Sequence, residues 1–311
     1  RPKYLKMLTD IFKFNSKGMK LVRGRSLTIG QFLEELGTGE WFRDYYLLPL
    51  SGAIWSTPTQ NILDFPAAAM IKFFENHALL KYSGQHQWYT VDGGSIQYVE
   101  RLEKRLKYYG VEVRVKASVS SVQRNKGKVV MTCQGGLPET YDEVIFATHS
   151  DDTLRLLEDA DEQESKLLSA IRYQPNDVVL HADTSVMPKR KQCWSSWVYT
   201  EDKNKTSEKI DLTYWMNSLQ PIPMEDPLFV TLNSTREIRE DLIFDQATMH
   251  HPVYDLEALA AQKTLALQNG ENHTWFCGAW MKNGFHEDGL SSALDVVQKI
   301  ETRSAFDLAA E

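Results

Sequence analysis

The segment Thr274–Ile300, TWFCGAWMKNGFHEDGLSSALDVVQKI, decides how the chain is read. It opens with strand character at Trp275, Phe276 and Cys277, turns at Gly278 and Ala279, turns again at Asn283 and Gly284, and then takes up a helical period. Leu290, Ala293, Leu294, Val297 and Ile300 recur at that spacing and predict one buried helix face. The stretch Gly284 to Gly289 therefore falls at a helix N-terminus, where unpaired N–H groups and the positive end of the helix dipole favour an electron-rich ligand. A flat redox ring that gains negative charge along one edge is such a ligand. A plain packing unit shows the same pattern.

Composition narrows the classes. The 311 residues suffice for two lobes and a sizeable core, and 42% hydrophobic with 25% charged residues is the balance of a globular protein in water. A net charge of -7 and a pI near 5.7 leave no basic stripe for phosphates, so no nucleic-acid partner is expected. No apolar run approaches the roughly 20 residues that span a bilayer, so no integral membrane segment is expected. Cys133, Cys193 and Cys277 are odd in number and far apart, which reads as a reducing, cytoplasmic setting without disulfides and without a CxxC metal pair. The chain begins Arg1-Pro2-Lys3-Tyr4, with neither an initiator methionine nor a signal peptide, and is expected to be a piece of a longer protein.

Local signals place the elements. Tyr4, Leu8, Ile11 and Phe12 share a helical face, a second helix runs from Ser26 or Thr28 to Leu36 before a Gly37-Thr38-Gly39 cap and turn, and a third runs from Pro66 to Leu80. Trp41, Phe42, Tyr45, Tyr46 and Trp55 form an aromatic segment that either packs these helices or walls a substrate site. Ser95 is the expected N-cap of a helix carrying Ile96, Val99, Leu102 and Leu106, followed by an alternating strand at Val111, Val113 and Val115. Strands continue through Val119 and Val122, through Lys128 to Cys133 after the Asn125-Lys126-Gly127 turn, and from Tyr141 to Ala147. One acidic helix, Asp152 to Ala170, precedes strand pieces at 178–182, 194–200, 210–216 and 228–232, which suggest an antiparallel sheet. The charged stretch Glu201 to Lys209 reads as a mobile loop, His250 and His251 as loop residues, and Leu256 to Leu267 as a helix.

GFHEDGL after FCGAW resembles the C-terminal flavin-binding signature of the FAD-dependent, amine-oxidase-like oxidoreductases, a branch of the monoamine oxidase and phytoene desaturase group. The likeness extends through HADTSVMP, WSSW, LTYWMNSLQ, LFVTLN and HHPVY, over most of residues 40 to 300. It implies a two-lobed fold of mixed α+β and α/β character. Residues 1–85 would be a helical cap, 86–150 a segment of the FAD domain, 151–270 a substrate domain and 271–311 the returning FAD-domain segment. FAD is the implied cofactor and a small molecule, one option being an apolar one, the implied substrate. The implied cofactor-binding residues are Val119 beside the adenine, Thr148, Gly278, Ala279, Gly284, Phe285, His286, Glu287, Asp288, Gly289 and Leu290. Amides around Glu287, Asp288 and Gly289 would stabilise charge on the ring, and Asp288 would cap the helix through its side chain.

Candidates for the reacting face are Trp215, Asn217 and His286, with Tyr214, Trp194 and Trp197 nearby. Alternation along a strand sends neighbours to opposite faces, so at most half of the strand candidates can serve. The expected reaction is hydride transfer from a C–H bond of an amine or C–C substrate to flavin N5.

The alternative reading is a truncated, flavin-free fragment or binding module that keeps the substrate lobe, because no GxGxxG follows any strand. Other chemistries lack their residues. His286-Glu287 has leucine at position 290 where a zinc protease needs histidine, so no metal site is expected. No GxSxG or GxxxxGK[ST] occurs.

Overall fold

The computed structural model describes residues 2–55, 62–84, 86–201 and 209–310, with side chains through 303, so most of the expected loop from Glu201 to Lys209 lies outside the described residues. The chain forms two compact units, one of Arg1–Val113 with Gln174–His251 and one of Arg114–Tyr173 with Pro252–Glu311.

In the first unit α1 (Pro2–Val22) buries Asp10, Phe14, Gly18 and Val22, a strict four-residue spacing. The expected face is therefore displaced: Tyr4 and Phe12 are exposed, and Phe12 lies against Tyr82 instead. Gly18 permits the approach, since a Cβ there would stand 3.0 Å from Ile71 Cδ1. Buried Asp10 is satisfied by the Gly39 N–H at 2.9 Å.

α2 (Ile29–Leu36) starts on a capping box of Thr28 and Gln31 and ends at Gly37 in the left-handed region, as its local sequence requires. A helical turn at Glu40–Phe42 passes through a π segment, Arg43–Leu47, into α3 (Leu48–Trp55). With α4 (Ala67–Asn76) these helices enclose Phe14, Phe32, Phe42 and Phe74, none of them exposed. Each such side chain contributes about 1.5–3 kcal/mol by leaving water. Of the aromatic segment, Phe42 and Trp55 are core, while Tyr45 is 56% exposed.

α5 (Ile96–Tyr108) forms where its period predicts, but Ile96, Val99, Leu102 and Leu106 are all exposed. Ser95 is itself helical and makes no cap bond, and residues 111–115 form no strand. A strand needs a ladder with a neighbouring strand, and residues 111–115 enter none among the described residues.

The second unit opens with a three-stranded antiparallel meander, β1 (Val119–Asn125), β2 (Lys128–Cys133) and β3 (Glu139–Tyr141). Lys126 and Gly127, both at positive φ, turn β1 into β2. β4 (Val144–Phe146) is followed by α6 (Ser150–Leu156) and α7 (Glu162–Ser169).

The single helix expected over 152–170 is thus two. The break is bought by specific bonds: Glu158 N–H donates to Val122 O, and Asp161 caps α7 with Glu164 in return. The Arg124 guanidinium enters the gap and binds Asp159 and Glu164. Its side chain is only 8% exposed, so losing either carboxylate would leave a buried charge without compensation.

The rest of the first unit is a five-stranded sheet in the order β6-β7-β8-β5-β9, made of β5 (Tyr173–His181), β6 (Trp197–Thr200), β7 (Asp211–Trp215), β8 (Phe229–Leu232) and β9 (Ile243–Pro252). β6 with β7, β7 with β8 and β8 with β5 pair antiparallel, as expected. His250 and His251 lie in β9 and not in a loop, because pairing with β5 extends the strand to Pro252.

One face of the sheet packs Leu212 and Tyr214 with Ala53 of α3. The other packs Trp215, Trp194 and Phe229 and carries a buried polar line. His181 Nε2 bonds Thr231 Oγ1 at 2.7 Å, Thr231 bonds Thr213 at 3.0 Å, and Asp183 N–H donates to His181 Nδ1 at 3.1 Å. Asn233 bonds Asn176 Oδ1 and Ile210 O and accepts from Asp177 N–H. The motifs HADTSVMP, LTYWMNSLQ and LFVTLN therefore meet as a structural network.

The second unit closes with α8 (Leu256–Gln268), β10 (Thr274–Phe276) and α9 (His286–Ala310). β10 pairs in parallel with β4, Trp275 opposite Ile145. The buried side of α9 is Ser292 and Val296, and Leu290, Leu294 and Val297 of the expected face are exposed. Ala293 and Ile300 of that face do pack, beside Val296 against Trp275 and Cys277, so the expected stripe is buried along one edge only.

Burial holds the His181 imidazole below its ordinary pKa, and its Nδ1 lone pair is already used by Asp183 N–H. The unfolded chain therefore takes up a proton before the fold does. The stabilisation His181 provides is complete above about pH 6.5, the unfolded value, and is lost as pH falls through the depressed folded value. In urea denaturation, the stability gap between the wild-type chain and His181→Phe should shrink as pH drops from 7.5 to 5; a constant gap would refute it.

Candidate functional site

The site is the junction of β10 and α9 in the second unit. Cys277 N–H donates to Phe146 O, continuing the parallel pair, and the chain then turns at Gly278 (φ 140°). A Cβ on Gly278 would stand 2.9 Å from the Trp280 ring, so no other residue fits. Trp280 folds back and its Nε1 donates to Thr148 O at 2.9 Å. Gln262 of α8 spans the turn from below, donating to Trp280 O and Lys282 O. Gly284 (φ 92°) then faces Tyr254, whose hydroxyl oxygen would lie 2.5 Å from an added Cβ.

The amides divide into two groups. Gly278 N–H is taken by Ser292 Oγ at 2.8 Å, Gly284 N–H by Ala279 O at 3.0 Å and Gly289 N–H by Phe285 O at 3.2 Å. Gly289, expected to offer its amide to a ligand, instead spends it inside the helix. Phe285 N–H donates to Asp288 Oδ2 at 3.0 Å, so Asp288 caps the helix as expected. The N–H groups of the first turn, His286 to Asp288, have no acceptor within a helix that begins at His286. His286 and Glu287 are exposed there, and Leu290 is 57% exposed.

Val119 and Thr148, far apart in sequence, come together. They line one cleft of about 320 Å³ with Val122, Met131, Phe146 and Leu156. Val119 sits where β1 bulges, its pairing with Cys133 shifting at Ser121. Thr148 Oγ1 bonds Thr153 Oγ1, and its carbonyl is the one held by Trp280. His149, Asp151 and Asp152 lie within reach of one another at the start of α6, where the His149 ring stacks on Tyr173.

The other candidates belong to the first unit. Trp215 packs edge-on against Trp194 at 5.2 Å, and Tyr214 against Trp197 at 5.3 Å on the opposite face, so alternation divides them as the strand geometry demands. Asn217 is 5% exposed and fully engaged: Nδ2 donates to Pro223 O and Asp226 O, and Oδ1 accepts from Leu228 N–H. It fastens the 217–228 loop.

Sequence reasoning missed Ser292, Trp280, Gln262 and Tyr254. The row Gly289, Ser292, Val296 was the available signal for Ser292, since small residues at helical spacing mark a close approach. Tyr254 ends the HHPVY motif, yet nothing local reveals its contact with Gly284.

The glycine before the helix and the glycine inside its first turns should respond oppositely to alanine. Gly284→Ala meets both a positive φ and the Tyr254 hydroxyl and should cost at least about 2 kcal/mol. Gly289→Ala meets only Ala279 N at 3.7 Å and should gain up to about 1 kcal/mol from helix propensity. Thermal denaturation of both variants checks the pair, and equal effects would show the turn to be differently packed.

The profile of the flavin-containing amine oxidoreductase family matches residues 7–248. Among curated proteins none matches by sequence. The solved structures similar to this one include a CLA-producing fatty acid isomerase from P. acnes, at 14% identity and TM-score 0.63 over 94% of this chain and 74% of that one. A putrescine oxidase bound to putrescine superposes at 13% identity and TM-score 0.62, over 98% of this chain and 76% of its own. A cyclohexylamine oxidase from Brevibacterium oxydans IH-35A does so at 12% and 0.57, over 96% and 75%. These likenesses show the fold, a two-lobed mixed α and β arrangement, and the profile covers more than half of the chain. The chain belongs to the flavin-containing amine oxidoreductase family, an oxidoreductase whose cofactor is FAD.

Proposed function

We propose that the protein oxidises a small molecule by moving a hydride from a C–H bond, of an amine or at a C–C position, to the flavin that the second unit holds. The observation that carries this reading is the start of α9: a 25-residue helix with a side-chain-capped N-terminus, entered through two glycines at positive φ, in a chain of this family. The flavin supplies the two-electron chemistry when bound, and the protein supplies orientation and electrostatics.

The residues present fit such a ring. The room left by the missing Cβ of Gly284 is taken by the Tyr254 hydroxyl, which is buried beside the helix start and has no hydrogen-bond partner among the described residues. First-turn amides from His286 to Asp288 and the dipole of α9 favour negative charge on the ring edge that faces them. Val119 and Thr148 would hold the distal part of FAD in their cleft. Gly278, Ala279, Phe285, Gly289 and Leu290 shape the turn and helix start, and His286, exposed at the first helical position, is the residue we assign to face the ring.

The second unit, Arg114–Tyr173 with Pro252–Glu311, is assigned to the cofactor, and the candidate substrate-facing residues, Trp215 among them, belong to the first unit. The two amine oxidases act, by their names, on putrescine and cyclohexylamine, and the isomerase on a fatty acid. Amines and apolar chains are accordingly the two substrate classes to try. Among the described residues no helix is long and apolar enough to cross a membrane.

FAD added to the purified chain should show a shifted, structured visible absorption band that stays with the protein through gel filtration, and an anaerobic amine or fatty-acid panel should bleach it. A folded chain that retains no flavin would instead favour the flavin-free binding module.

A further inference from the structure

Among the described residues, Tyr254 is the one at the β10–α9 junction whose polar group is buried and unspent. The side chain is 4% exposed, and its hydroxyl finds no hydrogen-bond partner among the described residues. Every other polar group that shapes the turn is committed: Ser292 to Gly278, Gln262 to Trp280 and Lys282, Asp288 to Phe285, Trp280 to Thr148. An orphaned hydroxyl ordinarily costs about 1–3 kcal/mol, so a fold that keeps one beside a helix N-terminus retains an unsatisfied donor where ligand acceptors are favoured.

The hydroxyl also has a direction. It lies against Gly284, 2.5 Å from where a Cβ would be, and so is aimed at the turn that leads into α9. Burial, then the nearby Tyr173 and Asp288, push its pKa well above the ordinary phenol value, which keeps the group protonated and a donor throughout the neutral range.

We propose that Tyr254 is a positioning residue that donates its hydroxyl proton to a carbonyl or ring-nitrogen acceptor on the edge of the ligand seated at the N-terminus of α9. This rests on the reading of that terminus as the flavin site. The hydroxyl and the first-turn amides would then contact the same electron-rich edge, the amides through the helix dipole and the phenol through one neutral hydrogen bond. No proton is transferred: the bond strengthens as the edge gains negative charge and so favours the reduced ligand.

Tyr254→Phe tests this with readouts that do not depend on turnover. In the flavin-free protein the variant should be as thermally stable as the wild type or more so, because an unsatisfied hydroxyl is removed and the ring that packs on Gly284 remains. FAD affinity, followed by absorbance or fluorescence quenching, should fall about tenfold, and the midpoint potential of the bound flavin should move to more negative values. If the variant binds FAD with unchanged affinity, spectrum and potential, the proposal is overturned while the flavin reading stands. A marked loss of stability in the flavin-free variant also overturns it, by showing that the hydroxyl already has a protein partner. Failure of the folded wild type to take up FAD overturns both.

Discussion

The junction between β10 and α9 depends on one constraint: a buried chain reversal must place every backbone N–H and C=O against a partner without the help of a ladder. The protein meets it with side chains drawn from three directions. Ser292 reaches up from the helix to both polar groups of Gly278, Gln262 supports the turn from α8, and the Trp280 indole reaches across to the end of β4. Parallel pairing of β4 with β10 fixes how near those elements stand, so the turn and the helix start are set by the sheet and not by loop preference. That is why two glycines are obligatory there, and why the small-residue side of α9 is the one that packs.

The first unit answers the same constraint differently. Its sheet is packed on both faces at β7 and β8, and the polar residues on one of them form a continuous line from Asp183 through His181 and Thr231 to Thr213. Such a line is costly when half satisfied and specifying when complete, because each hydroxyl and ring nitrogen accepts only one register of its neighbours. Three sequence motifs that carry the family resemblance are accounted for in this way, as the parts of one network that pins β5, β7 and β8.

What the sequence disclosed follows the range of the interactions involved. The helix at Ile29–Leu36 was legible to within its two candidate caps, Ser26 and Thr28, because the cap and the left-handed glycine that bound it are local, and the structure selects Thr28. The helix start at His286 and the Asp288 cap were legible for the same reason. The buried side of α9 was legible only in part, since period alone cannot say how far round the helix the contact runs: Ala293 and Ile300 pack, while Leu290, Leu294 and Val297 face outward. His250 and His251 read as loop because strand pairing with β5 is nonlocal. Val119 and Thr148 came from family resemblance, and the structure brings both to one cleft. Tyr254 needed a tertiary contact with the distant Gly284, which no periodicity encodes.

One detail of the second unit has a directional consequence. The side chain of Asn269 accepts from Phe276 N–H and donates to Phe276 O, occupying the outer rim of β10 as an adjoining strand would. The Gly270 N–H completes the closure of that rim by donating to Thr274 O at 3.0 Å. Any further extension of the parallel pair, whether by this protein's own folding or by unwanted association between molecules, can proceed only from the flank of β4, so the sheet is a one-way template.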